Sequence, residues 1–109
     1  MDIRNISEIE SFNGIDGLTR LLSNNCNSLS YVIQGFESKR HMHKKSDEIY
    51  LIVRGHGITY INDESKEIAS GDRIVVPKGT YHYFERRGID TFEMIVLSCP
   101  AFDSSDVSF

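Results

Sequence analysis

Tryptophan is absent from this 109-residue chain, proline and cysteine occur only twice each, and no tract is rich in proline, glycine or serine. Without a linker-like tract or an internal repeat, no domain boundary is drawn. The length suits one domain, 1–109, with one core. Two cysteines, Cys26 and Cys99, make no disulfide framework. No histidine neighbours either one in sequence, so both read as packing thiols rather than nucleophiles. Long apolar runs are missing as well. The stretch "IYLIV" at 49–53 is far short of a bilayer span. The start, "MDIRNISEIESF", lacks the basic-then-apolar order of a signal peptide. Basic charge is not in excess: 12 Lys and Arg stand against 16 Asp and Glu, a net charge of −4, which gives no electrostatic case for nucleic acid. The expectation is a cytoplasmic protein with a small-molecule ligand and neither a membrane nor a nucleic-acid partner.

What is present is a series of short β-prone runs separated by turn signals. "LSYVIQGF" (29–36), "EIYLIVRG" (48–55) and "GITYIN" (57–62) are followed by "KEIAS" (66–70), "RIVVP" (73–77), "TYHYFE" (80–85) and "TFEMIVLS" (91–98). Between them lie "NDES" (62–65), Gly71-Asp72, Pro77-Lys78-Gly79 and "RRGID" (86–90), which carry turn residues. Strands at this spacing predict an all-β sandwich or barrel. Several strands are apolar on both faces, which suits a closed β structure whose outer faces are also partly covered, as by a partner subunit. The arm 1–28 is less regular. Ser7, with Glu10 three residues on, is a candidate helix N-cap, although Asn13 and Gly14 would stop that helix at once. "GLTRLLSN" (17–24) reads as a strand. The tail 99–109 is expected to pack Phe102 on the barrel and to end loosely.

The chemistry concentrates in "HMHKKSDEIYLIVRG" (41–55). Side chains alternate along a strand, so His41 and His43 point the same way, about 6.6 Å apart at Cα. "KKSD" (44–47) is turn-like and brings Glu48 back beside them. Tyr50 and Ile52 share the parity of Glu48 and should line the same cavity. Two imidazoles and a carboxylate suit a divalent transition metal (Fe, Mn, Ni, Co, Cu or Zn) better than Ca or Mg. His56 and His82 are the candidates for a further ligand.

Gly35, His41, His43, Glu48 and Gly55 fit the pattern G-x5-H-x-H-x4-E-x6-G at every fixed position. Gly71, Pro77, Gly79 and His82 fit G-x5-P-x-G-x2-H. In these two stretches the chain resembles the cupin superfamily, as a small conserved-barrel cupin, with the strand pattern extending the resemblance over 29–98. The resemblance implies a jelly-roll β-barrel (a double-stranded β-helix) with a metal held by His41, His43, Glu48 and His82. One position departs from the pattern: Arg86 stands where the second motif has Asn. That Asn is not a ligand, so the departure concerns the pocket rim or the turn.

Around this set, Tyr50 is a candidate to orient a substrate, or else a core aromatic. His56 sits between two glycines and is a candidate catalytic residue, with an exposed turn as the simpler reading. Arg54, Arg73, Arg86 and Phe84 are candidate substrate contacts, the arginines as carboxylate clamps. Lys39, Arg40, Lys44 and Lys45 read as a solvated loop or as a rim that draws in an anion. Tyr31, Tyr60 and Tyr83 read as packing residues. The resemblance implies a metal-dependent enzyme on a small, anionic molecule, and a homodimer for which residues 1–24 are the expected exchange or docking element. Dioxygenase is the first class, with isomerase, cyclase, decarboxylase and lyase chemistry also within the family's range. A non-catalytic sensor or storage cupin is the alternative from another class, and a sugar-nucleotide epimerase fits less well.

Overall fold

The computed structural model describes residues 1–35 and 37–109. The end of the "LSYVIQGF" reading, Phe36, lies outside the described residues. Eleven strands follow in chain order among those residues. They are β1 (Ser11–Asn13), β2 (Gly17–Asn24), β3 (Ser28–Gln34), β4 (Met42–His43), β5 (Asp47–Arg54) and β6 (His56–Ile61). Then come β7 (Glu64–Ala69), β8 (Arg73–Val76), β9 (His82–Arg87), β10 (Phe92–Cys99) and β11 (Val107–Ser108).

One sheet has the order β1-β2-β3-β10-β5-β8 and a second has β7-β6-β9. All pairings are antiparallel. The segment 37–43 runs beside β9 through the bridges Glu37–Glu85 and His41–His82 and continues into β4, which pairs with β11. The fold is the jelly-roll barrel that the resemblance implies, within the all-β sandwich or barrel that the strand spacing predicts.

Alternation drives this arrangement. Along β5, Glu48, Tyr50 and Ile52 are buried, while Asp47, Ile49, Leu51 and Val53 are exposed. Along β10, Phe92, Met94, Val96 and Ser98 are buried and their neighbours are more open. The core joins Val32, Tyr50, Ile52, Ile74, Val76, Phe92, Met94 and Val96 of the large sheet to Ile68 and Phe84 of the small one. Burying one such side chain is worth about 1.5–3 kcal/mol, so the ten together outweigh any single polar contact in holding the barrel closed. Gly55 is the lone residue between β5 and β6. Its φ of +82° and the 2.3 Å approach of a Cβ to the Thr91 carbonyl oxygen demand glycine there.

Four local expectations change. The helix start at Ser7 is instead a short 3-10 turn, Ile6–Glu8, capped by Asn5, whose Oδ1 accepts from the Ser7 N–H at 2.9 Å. The chain then enters β1, the edge strand of the large sheet. "RRGID" gives up Arg86 and Arg87 to β9. Cys26 and Cys99 are both exposed rather than packed. The tail does not end loosely: Val107 and Ser108 pair with His43 and Met42.

Candidate metal centre

The two motifs meet through backbone contacts. The Gly79 N–H donates to the His43 carbonyl at 2.7 Å, and His41 and His82 exchange backbone hydrogen bonds. Gly79 makes its turn at φ +76°. The second motif is thereby zipped onto the first. His41, His43, Glu48 and His82 are all buried, and each offers a ligand atom within 4.8 Å of the others.

The rings are aimed by the chain itself. His41 Nδ1 lies 2.6 Å from the Lys39 carbonyl oxygen, and His82 Nδ1 lies 3.0 Å from that of Thr80. In the neutral ring each Nδ1–H donates there, which leaves Nε2 with a lone pair facing inward. His43 turns Nε2 to Glu48 Oε1 at 3.1 Å, and its buried Nδ1 has no partner among the described residues. His82 Nε2 is 3.2 Å from the same oxygen.

Glu48 is tethered at both oxygens. The Tyr50 hydroxyl donates to Oε1 at 2.9 Å, and the Ser98 hydroxyl donates to Oε2 at 3.1 Å from directly across the β5–β10 ladder. Burial alone would raise the Glu48 carboxyl, but the hydrogen bonds to His43 and His82 outweigh it and hold the group well below the usual carboxylate range. For His82, burial pulls downward and the Glu48 contact wins, so its pKa is raised. His41 lacks such a contact, and burial lowers its pKa.

His41, His43 and Glu48 of the cluster form the floor of a cavity of about 160 Å³. Its walls include Phe12 of β1, Val32 of β3, Val96 of β10 and Phe102 of the tail. The Phe102 ring meets the His43 ring edge-to-face at 5.8 Å, which is the packing expected of that tail residue. Asp16, from the turn between β1 and β2, also reaches in. Its Oδ2 lies 3.3 Å from the Tyr50 hydroxyl, and its Oδ1 is buried without a partner among the described residues. Burial pushes the Asp16 carboxyl above its usual value, and the charge of His41 opposes that shift. Reading the sequence did not single out Asp16, because only the return of β2 along β3 brings it over the barrel mouth.

The other sequence candidates fall elsewhere. Tyr50 is at the centre, fully buried, and its own pKa is raised well above the usual value by burial and then by the charges of Asp16 and Glu48. Phe84 is a core residue, its ring tilted at 53° against that of Tyr50 with centroids 4.7 Å apart. His56 is exposed and pairs with Arg87 at the far end of the β6–β9 ladder from His82, which pairs with Ile61. Arg54, Arg73 and Arg86 do not line the cavity. A register shift between Glu93 and Met94 lies where β5 leaves the core. Arg54 there emerges into solvent near Glu93 (3.9 Å) and Asp90 (4.0 Å). Lys39 and Arg40 lie over the rings of Phe109 and Tyr81 rather than over the cavity, each at 4.1 Å.

Over 88 residues the chain is 34% identical to the acireductone dioxygenase of Bacillus mycoides, a match that covers 76% of this chain and 49% of that protein. The chain spans about half the length of the curated relatives it matches. A solved structure from Planctomyces limnophilus superimposes with a TM-score of 0.88 at 21% identity, covering 100% of this chain and 96% of that one. The nucleoside dehydratase Pac13 of Streptomyces superimposes with a TM-score of 0.82 at 24% identity, covering 99% of this chain and 90% of that one. At such identities these two structures speak for the fold alone. Residues 29–98, well over half of the chain, match the family described as Cupin domain, and the chain belongs to that family.

Proposed function

We propose that the protein is a metal-dependent cupin enzyme acting on a small molecule, with dioxygenase as its first activity. One observation carries this reading: three buried imidazoles and one buried carboxylate converge within 4.8 Å. Ligands on opposite sides of an ion, with bonds of about 2.1 Å, lie about 4.2 Å apart, so a small closure of side chains suffices. Three nitrogens and a carboxylate oxygen fit Fe, Mn, Ni, Co, Cu or Zn. Such an ion, when bound, would supply Lewis-acid polarisation of a substrate and, if redox-active, a route to oxygen chemistry.

The chain's own residues do the rest. His41 and His82 present Nε2 because backbone carbonyls hold their other nitrogens. Tyr50 and Ser98 hold the Glu48 carboxylate in place. Phe12 and Phe102 wall the cavity and limit water at its floor. The likeness to acireductone dioxygenase supports trying that substrate first. Oxygen uptake by iron- and nickel-loaded protein, with an acireductone and a panel of small enols, tests the activity. Consumption that is lost in His82→Ala supports it. Metal uptake with no oxygen consumed across the panel favours a non-catalytic binding cupin.

Two copies are further proposed to pair through the outer face of the large sheet. Ile49, Leu51, Val53 and Val75 are each more than a third exposed there, next to one another on β5 and β8. Sedimentation should show a dimer that Leu51→Lys dissociates, and a monomer at micromolar concentration would remove this reading.

A further inference from the structure

We propose that Asp16 sets the ligand class of the cavity, taking an O–H or N–H of a small uncharged molecule bound beside the histidine cluster. The proposal rests on the cavity being the ligand site, and it concerns which molecules enter rather than what reaction follows.

Three observations support it. First, Asp16 is presented, not merely nearby. Its carbonyl accepts from the Gly35 N–H at 3.3 Å, and the Gly14 N–H donates to the Gly17 carbonyl at 2.8 Å, so the turn that carries it is pinned on both sides. Second, the carboxylate has unused capacity. Oδ1 is buried with no partner among the described residues. Oδ2 meets the Tyr50 hydroxyl at 3.3 Å, but the single hydrogen of that hydroxyl goes to the nearer Glu48 Oε1 at 2.9 Å, and the one other side chain that contributes a hydrogen bond to the carboxyl is Ser38. A buried acceptor left open at the edge of a cavity is a recognition group waiting for a donor. Third, no lysine or arginine among the described residues lines the cavity, whose carboxylates there are Asp16 and Glu48. A ligand carboxylate would face those two with no side-chain cation to receive it, so the anionic substrate expected from the basic loop finds no clamp here. The volume, about 160 Å³, matches a cavity of roughly 150 Å³ that holds a benzene-sized molecule. Ile15, Leu21, Val32 and Val96 give such a molecule an apolar wall.

Benzamide and benzoate are the probes: they share shape and size, and one has N–H donors where the other has charge. Their affinities for wild type, Asp16→Asn and Asp16→Ala are measured by calorimetry or ligand-observed NMR, on the protein as purified and after zinc saturation. A bound zinc favours benzoate in every variant alike, so the change in the benzamide-to-benzoate ratio is the readout. The expected result is a ratio about tenfold lower in both variants than in wild type, in either metal state. An unchanged ratio, or no detectable binding of either probe to wild type, overturns the proposal. Failure of zinc to bind would sink the metal reading, while the ratio on metal-free protein would still decide this one.

Discussion

His41 and His82 stand directly opposite each other across one antiparallel bridge, and each donates its backbone N–H to the other's carbonyl, at 3.1 and 2.9 Å. Residues so paired send their side chains to the same face, and the two rings come to 4.3 Å between centroids. The approach of these imidazoles is therefore a backbone property.

Tyr50→Phe follows from this. The ring stays packed on Phe84, but the hydroxyl that orients Glu48 is lost. Affinity for zinc or nickel should fall about tenfold, within the range for residues that hold a metal ligand. The thermal midpoint of the metal-free protein should change little. Calorimetric titration checks the first and a melting curve the second, and unchanged affinity would leave Tyr50 as packing only.

Asp106 is the tail residue that fixes the loop ahead of Glu48. Its carboxylate accepts from the Lys45 N–H at 3.0 Å and from the Ser46 N–H at 3.3 Å, and Asp106 itself is buried. Asp106→Ala strands those donors and should cost about 2 kcal/mol in urea unfolding. Because β11 pairs with β4, removal of residues 104–109 should cost more and weaken metal uptake as well. A tail truncation with full stability and full uptake would contradict this role.

The pH dependence of the metal-free protein has a sign set by the cluster. Glu48 sits below its ordinary 4.5, so the unfolded chain takes up that proton first as pH falls. Its contribution is complete above 4.5 and is lost as pH falls toward the folded value. Buried His41, lowered from 6.5, adds loss in the same direction, beginning at higher pH. His82, raised, contributes below 6.5 and gives this up as pH climbs past its folded value. Asp16, raised from 3.8, also costs stability as pH rises. Urea midpoints from pH 7 to about pH 3 should therefore fall most steeply below 4.5, and Glu48→Gln should flatten that limb. The same slope in Glu48→Gln would show that the acid limb comes from other groups.

Much of the centre was legible because it depends on local periodicity. A two-residue spacing puts His41 and His43 on one face, and alternation along β5 puts Glu48, Tyr50 and Ile52 inside. The glycine and proline positions of the second motif mark the turns that deliver His82. What the sequence hid depends on register and on distant returns of the chain. Ser98 matters because β10 happens to place it across from Glu48. Asp16 arrives over the barrel mouth from an arm with little pattern of its own, and Asp106 from the tail, 61 residues beyond the Lys45 it meets. Arg54 misled through parity alone: the inward series of β5 ends at Ile52, and a register shift in the partner strand releases the next position to solvent. The basic loop misled through proximity in sequence, since Lys39 and Arg40 lie on aromatic rings outside the cavity.

The most direct test of the central claim is the metal content of the protein, measured by elemental mass spectrometry as purified and again by titration after chelation. About one transition-metal ion per chain is predicted for wild type, with a large loss in His41→Ala and Glu48→Ala at retained far-ultraviolet circular dichroism. A wild-type protein that stays metal-free through titration with iron, nickel, manganese and zinc would contradict the account.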